Sequence, residues 1–533
     1  MSPNQRLVVA VLLSVIFFVA YTAIFPPVEP EVAEEVKTDK VALASKGNQE
    51  NSSVSAQNIE SVAGHKIASN EKSNTNTIVT IKNENFILKL DTLGRISSKE
   101  LLQAKFRDKE DHHAQLIPAY GTKPLYIRFM DENLNAEAAS VAYTSNVNEV
   151  NLDTGSTTVV LTQKLSNVIV TKTLTFYTDG HYDAKITLNQ DKRYFIYLGQ
   201  RPKVNETEQM MAAVGALIYT DDDILTIIED GDVEGRQSFT GVQLIASFDQ
   251  YNASVMYGLG KDRNVIVERD RDDNPIVYFD GMQTINFNGY VGEKNFQTLK
   301  SIDPILTNVV EYGWFTFAAK PLFALLSWLY GIFGNWGWAI IALTAIIRLV
   351  LYPLTYKGMV SMQKMKDLAP KMKELKEKYK GDPQRLNQAT MDMYKKHGAN
   401  PLGGCLPMLL QIPVFFAIYR VLLNAVELQG APWILWIDDL SRMDPYYVLP
   451  VLMGASMFLQ QRMTPNNFTD PMQEKIMKYL PVIFTFFFVT FPSGLVLYWF
   501  VNNLFSILQQ FIVNQQFKNA KDAQAAIKSK KEK

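Results

Sequence analysis

The sequence predicts a multi-domain membrane protein: an α-helical core of five spans, an N-terminal anchor helix, and a large all-β domain between them. Three observations lead there. Apolar runs long enough to cross a bilayer crowd residues 7–25 and the C-terminal third. Residues 79–300 consist instead of short alternating segments punctuated by turns. At 533 residues the chain is too long for one compact core. Its net charge of −1 and mean hydropathy of −0.06 resemble those of a soluble protein only because a polar middle is averaged with an apolar end. The single cysteine, Cys405, excludes an intrachain disulfide, and the five histidines lack metal-ligand spacing.

Residues 1–25 form the anchor. The run 7–25 follows Arg6, is long for a signal-peptide h-region, and has no Ala-x-Ala site before Pro26-Pro27. Residues 26–78 are rich in Glu, Lys, Ser, Asn and Ala and cannot bury enough apolar surface to order themselves, so they read as a linker. The β domain follows, over 79–305. Its strand-like segments include 77–82, 85–90, 124–129, 157–162 and 167–176, with Asp179-Gly180 as a turn. Gly258-Leu-Gly260 lacks the rest of a nucleotide loop and reads as a turn. No catalytic constellation occurs here, and the pattern suggests a sandwich serving as scaffold or docking domain.

Residues 306–333 carry an aromatic-rich segment with Lys320 near its start, suited to a helix lying in the membrane interface. The core, 334–516, holds spans at about 336–354, 403–425, 446–461, 476–491 and 495–513. The stretch 476–513 is too long for one straight crossing, and Pro492-Ser-Gly494 divides it. Its first arm is short, about 24 Å as a helix, which favours a locally thinned bilayer.

Lysine and arginine fill the loop 357–400 and the tail 517–533, whereas 427–445 is acidic on balance. The positive-inside pattern therefore puts 357–400 and both termini in the cytoplasm and the β domain outside. Within 357–400, Met365, Leu368, Met372, Leu375 and Tyr379 make one helical stripe, and Leu386, Ala389, Met393 and Tyr394 a second, broken at Gly381-Asp-Pro383. A helical hairpin with basic faces results. Charge alone does not separate a solvated loop beside anionic lipid from a docking surface for acidic or RNA-rich partners.

One residue is out of place. Arg348 interrupts an otherwise apolar span, at a cost of about 2.5–3.5 kcal/mol at a helix centre on insertion scales. Thr344 and Tyr352 share its helix face by i, i+4 spacing. Gln411 lies in the second span, and Asn502, Asn503, Ser506, Gln509 and Gln510 cluster on the last. Polar groups on several spans argue for a polar cavity. Snorkelling of Arg348 towards the cytoplasmic end is the alternative. No Asp or Glu lies near the centre of a core span, which disfavours a proton relay or a carboxylate-based cation site.

The segments 347–355, 400–407, Asp444-Pro-Tyr-Tyr447, 469–473 and 491–498, in this order and spacing, resemble the YidC family of bacterial membrane protein insertases in its long Gram-negative form, over essentially the whole chain. The resemblance implies a bacterial inner-membrane protein with a periplasmic β-supersandwich and a five-helix core around a hydrophilic groove. It implies an insertase and chaperone that inserts and helps fold integral membrane proteins, alone or beside the Sec translocon (SecYEG and SecDF). Ribosome and signal recognition particle receptor would be partners at the hairpin and tail. The groove arginine of the family corresponds to Arg348. Trp499 stands where many relatives carry a second tyrosine after Tyr498.

The groove is thus expected to comprise Arg348, Thr344, Tyr352, Gln411, Tyr498, Asn502, Ser506 and Gln509. Phe415, Phe416, Phe486 and Phe487 are expected to form an apolar slide towards lipid. Arg348, lacking an evident ion-pair partner, is expected to await the polar end of a nascent protein. No catalytic residue, cofactor or metal is expected, and no nucleotide site is visible. A small-solute transporter or channel is the competing class; an inverted repeat or intramembrane carboxylate would favour it, and neither is present in the sequence.

Overall fold

The computed structural model describes residues 76–106, 112–204, 213–311, 315–397, 401–463 and 471–531; the side chains of 383, 401–410, 471–477 and 520–531 are not described. The expected anchor 1–25 and nearly all of the linker lie outside these residues.

The β domain starts within the expected linker, at strand Thr77–Lys82. Strands run from there to Glu293 and form one nine-stranded and two five-stranded sheets. Alternation decides which face is inward. In Ile169–Tyr177, Val170, Lys172, Leu174 and Phe176 are buried, and the strand pairs antiparallel with Ser156–Lys164 and His181–Leu188. Gly180, at φ +90°, makes the tight turn between Ile169–Tyr177 and His181–Leu188 that Asp179-Gly180 predicts. Gly258 and Gly260 likewise have positive φ, in the connection between strands Asn252–Tyr257 and Val265–Arg269.

Two lysines sit on inward faces. The Lys172 ammonium donates to the carbonyls of Gly94 and Leu125, each at 2.8 Å, and lies over the Tyr143 ring. The Lys99 ammonium donates to the carbonyls of Gly180 and Val291. Each joins backbone of separate strands and turns inside the domain. Burial pushes both ammonium groups down to about 7 from about 10.5.

Nine α-helices occur among the described residues. Helices α1 (Glu132–Ser140) and α2 (Phe296–Ile302) belong to the β domain. The helical part comprises α3 (Thr316–Phe333), α4 (Trp336–Lys378), α5 (Pro383–Lys396), α6 (Pro401–Asn424), α7 (Val448–Met463), α8 (Pro471–Phe488) and α9 (Ser493–Lys531). By length and composition α3, α4 and α9 are long and apolar enough to cross a membrane.

The helix that carries the first expected span is longer than that span. Helix α4 runs on without a break to Lys378, through Pro353 and Pro370. Proline removes one backbone donor, but the continuation is rich in good helix formers and gains a partner. Leu368 and Met393 are buried between α4 and α5, with Met365, Met372, Leu375 and Tyr394 packed around them. The hairpin is present, and its first arm is the extended end of the first span. The break at Pro492 stands: α8 ends at Phe488 and α9 begins at Ser493.

The β domain and the helices share a hydrophobic cluster that includes Leu244, Phe248, Leu299, Phe323, Leu326 and Leu422. Polar contacts fix the junction. Gln250 Nε2 donates to the Leu423 carbonyl at the end of α6 at 2.7 Å, and Glu427 Oε1 accepts the Phe296 N–H at 3.1 Å.

Because Lys172 is depressed when folded, the unfolded chain holds the extra proton between about pH 7 and pH 10.5. Domain stability therefore rises with pH across that window. Lys172→Met removes the contribution. Amide hydrogen exchange of Ile169–Tyr177, compared between the full-length proteins at each pH, should show a shallower rise in protection for the variant.

Candidate functional site

Arg348 lies a little over three turns into α4 and is buried, with 6% of its surface exposed. Its Nε donates to Asn502 Oδ1 at 2.7 Å. Its Nη2 donates to the Asn502 carbonyl at 3.0 Å and to Ser506 Oγ at 2.6 Å. Gln411 Nε2, from α6, donates to the same Asn502 Oδ1 at 3.2 Å. Three helices thus converge on one carboxamide. The i, i+4 spacing of Tyr498, Asn502 and Ser506 turns all three to one face of α9. Ser506 Oγ donates back to the Asn502 carbonyl at 3.0 Å, so the hydroxyl both accepts and donates.

Arg348 is thus hydrogen-bonded to α9. Its hydrogen bonds are already made, but every acceptor is neutral. No described residue forms an ion pair with Arg348, and Nη1 has no hydrogen bond to any described residue. The charge is held in place without being neutralised.

Of the other expected groove residues, Tyr498 is buried one turn before Asn502. Thr344 is buried one turn before Arg348, but its hydroxyl closes on its own helix, donating to the Ile340 carbonyl at 2.7 Å. Tyr352 is half-buried with its ring tilted against Tyr356 at 5.8 Å. Gln509 is buried, and its Oε1 has no hydrogen-bond partner among the described residues. The structure brings Arg348, Asn502, Ser506 and Gln411 into one hydrogen-bonded cluster and does not link Thr344, Tyr352 or Gln509 to it.

An aromatic group lies one turn from the cluster along α6 and α9, towards the end of α6 that meets the β domain. Trp499 packs edge-on against Phe415 at 4.6 Å and Phe488 at 4.7 Å, and is tilted against Phe484 at 5.9 Å. Phe491 extends the group through Phe488 at 5.0 Å. One indole therefore joins α6, α8 and α9 above the polar cluster. The sequence signal was the aromatic density around Phe484–Phe491, but periodicity alone does not show which rings meet.

The expected slide is divided in the same way. Phe486 is 77% exposed, and Phe416 and Phe487 are also exposed. Phe415 is half-buried and packs edge-on against Trp499. A second polar contact escaped the sequence reading. Asn503 Nδ2 donates to Ser456 Oγ of α7 at 3.1 Å. Beside it Gly454 admits Thr485 of α8 so closely that a Cβ would meet the hydroxyl. Among the described residues no group of His, Cys, Asp or Glu could hold a metal ion.

Comparison with known proteins matches residues 78–325 to the family described as YidC periplasmic domain and residues 328–521 to the family described as 60Kd inner membrane protein. A protein of Wolinella succinogenes named membrane protein insertase YidC is 47% identical over 98% of this chain and 97% of its own. The namesake from Campylobacter jejuni is 46% identical over 96% of each chain, and that from Helicobacter pylori strain 26695 is 43% identical over 97% of each.

Removing the Asn502 side chain strips Arg348 Nε and Gln411 Nε2 of their acceptor while leaving the charge buried. Asn502→Ala should destabilise the helical core by roughly 1–3 kcal/mol, and Ser506→Ala by less, because the Asn502 backbone carbonyl still receives Nη2. Thermal unfolding of the two variants in detergent, followed by tryptophan fluorescence, checks the order. Equal midpoints would show that Asn502 does not hold the cluster.

Proposed function

The chain belongs to the YidC family of membrane protein insertases, and from that membership we propose that it inserts and helps fold integral membrane proteins in the bacterial inner membrane. The observation that carries the proposal is the 47% identity to a named insertase over 98% of the chain. The cluster around Arg348 supplies a chemistry consistent with it.

In this reading the polar end of a nascent protein enters from the side of the α4–α5 hairpin, away from the aromatic group on Trp499. A carboxylate reaching the guanidinium meets a fixed positive charge with only neutral partners. Coulomb attraction is strong in a low-dielectric setting, and a charge-assisted hydrogen bond to Nη1 adds to it. Asn502 and Ser506 hold the guanidinium ready, so little reorganisation is needed. The apolar segment of the substrate then moves to lipid along the exposed Phe416, Phe486 and Phe487. Apolar transfer and the membrane potential drive release, with no hydrolytic step in the protein.

The remaining topology follows the charge pattern: α5, the hairpin end of α4 and both termini in the cytoplasm, the β domain in the periplasm. Helix α3 lies along the membrane surface. Support comes from its seat between the β domain, through Phe323 on Phe296 at 5.6 Å, and the first turn of α4, through Tyr330 stacked on Trp336 at 4.1 Å. The basic faces of the hairpin suit the ribosome and the signal recognition particle receptor, and the Sec translocon is the partner in assisted insertion.

Replacing Arg348 by Ala or Glu should lower insertion of a small membrane protein with an acidic periplasmic tail, with Glu the more damaging. Lys should retain more activity than Ala. Depletion of the native protein followed by protease accessibility of the newly made substrate measures this. Unchanged insertion by Arg348→Glu would refute charge capture.

A further inference from the structure

The connection between α6 and α7 is ordered yet displays apolar side chains. Leu435 is 79% exposed, Tyr446 69%, Met443 49% and Tyr447 46%. Leu435 and Tyr447 are also held at φ +56° and +57°, a region bulky L-residues seldom adopt. Such conformations persist only where surrounding contacts over-determine them.

Those contacts are present. Asp444 is fully buried, and its carboxylate accepts the Tyr446 and Leu449 N–H groups at 3.0 and 2.6 Å and the Trp436 indole N–H at 3.0 Å. The Trp433 N–H bonds the Ile437 carbonyl at 2.9 Å, closing the turn that presents Leu435. The loop therefore holds its apolar groups outward by built-in hydrogen bonds.

Both ends of the loop continue into exposed apolar stripes of spans. At one end, Asn335 Nδ2 donates to the Pro432 carbonyl at 3.0 Å, and Trp433 meets Trp338 edge-on at 5.9 Å. Trp338 is exposed on the face of α4 that also carries exposed Leu349. At the other end, Tyr446 and Tyr447 lead into exposed Val451, Leu452, Phe458 and Leu459 on α7. Apolar and aromatic residues flanking a span end are the composition of a bilayer interface.

We propose that the loop 432–447 is a lipid anchor: Leu435, Met443, Tyr446 and Tyr447 insert into the bilayer interface on the side of the β domain and fix the depth of α4 and α7. The occupant is lipid rather than a partner protein, because the exposed groups are continuous with the lipid-facing stripes of two spans. The role is independent of substrate capture at Arg348.

Site-directed spin labelling tests it. The full-length Cys405→Ser protein carrying Leu435→Cys, and a second carrying Tyr446→Cys, are labelled in vesicles of phosphatidylethanolamine and phosphatidylglycerol. A Leu349→Cys label marks the lipid-facing reference. At 435 and 446, collisions with oxygen should exceed those with a water-soluble nickel chelate, as at 349. Dominant nickel collisions would place the loop in water, and low collision rates with both would place it against protein; either result overturns the proposal.

Discussion

A guanidinium inside a membrane span must replace its water, and the contacts of Arg348 with Asn502 and Ser506 make that exchange. An uncompensated charge in hydrocarbon costs several kcal/mol, so the position of the acceptors constrains how α4, α6 and α9 assemble. Asn502 is shared by Arg348 and Gln411, which ties α6 to the same point. The aromatic group on Trp499 joins α6 to α8 and α9 beside a polar cluster that is supported by hydrogen bonds but not neutralised.

The rest of the molecule follows the same rule: polar groups away from water are tolerated where a neighbouring element completes their bonding. Lys99 and Lys172 sit among apolar strands because backbone carbonyls receive their ammonium groups. Glu427 and Gln250 sit at the junction of β domain and core because each meets a helix end, an N–H of α2 and a carbonyl of α6. Asp444 does this for the start of α7.

Much of the fold was legible from period and length. The strand 77–82, the turn at Asp179-Gly180, the break before Ser493 and the stripe from Met365 to Leu375 all follow from local pattern. The candidate site was legible as residue types: an arginine on one span and carboxamides and a hydroxyl on two others. What local pattern does not give is which side chains meet. Phe415 reads as lipid-facing by composition, and its ring meets Trp499.

By itself the sequence determined that this is a membrane protein with a β domain, which segments are long apolar runs, and that Arg348 is an expensive charge. Those properties depend on hydrophobic period, span length and charge, all local quantities. Only the tertiary structure decided that Asn502 and Ser506, rather than a carboxylate or water alone, receive that charge, and that Thr344 does not. The physical reason is that hydrogen bonds act over about 3 Å. Which groups lie within that distance depends on the rotation and depth of helices more than a hundred residues apart in the chain.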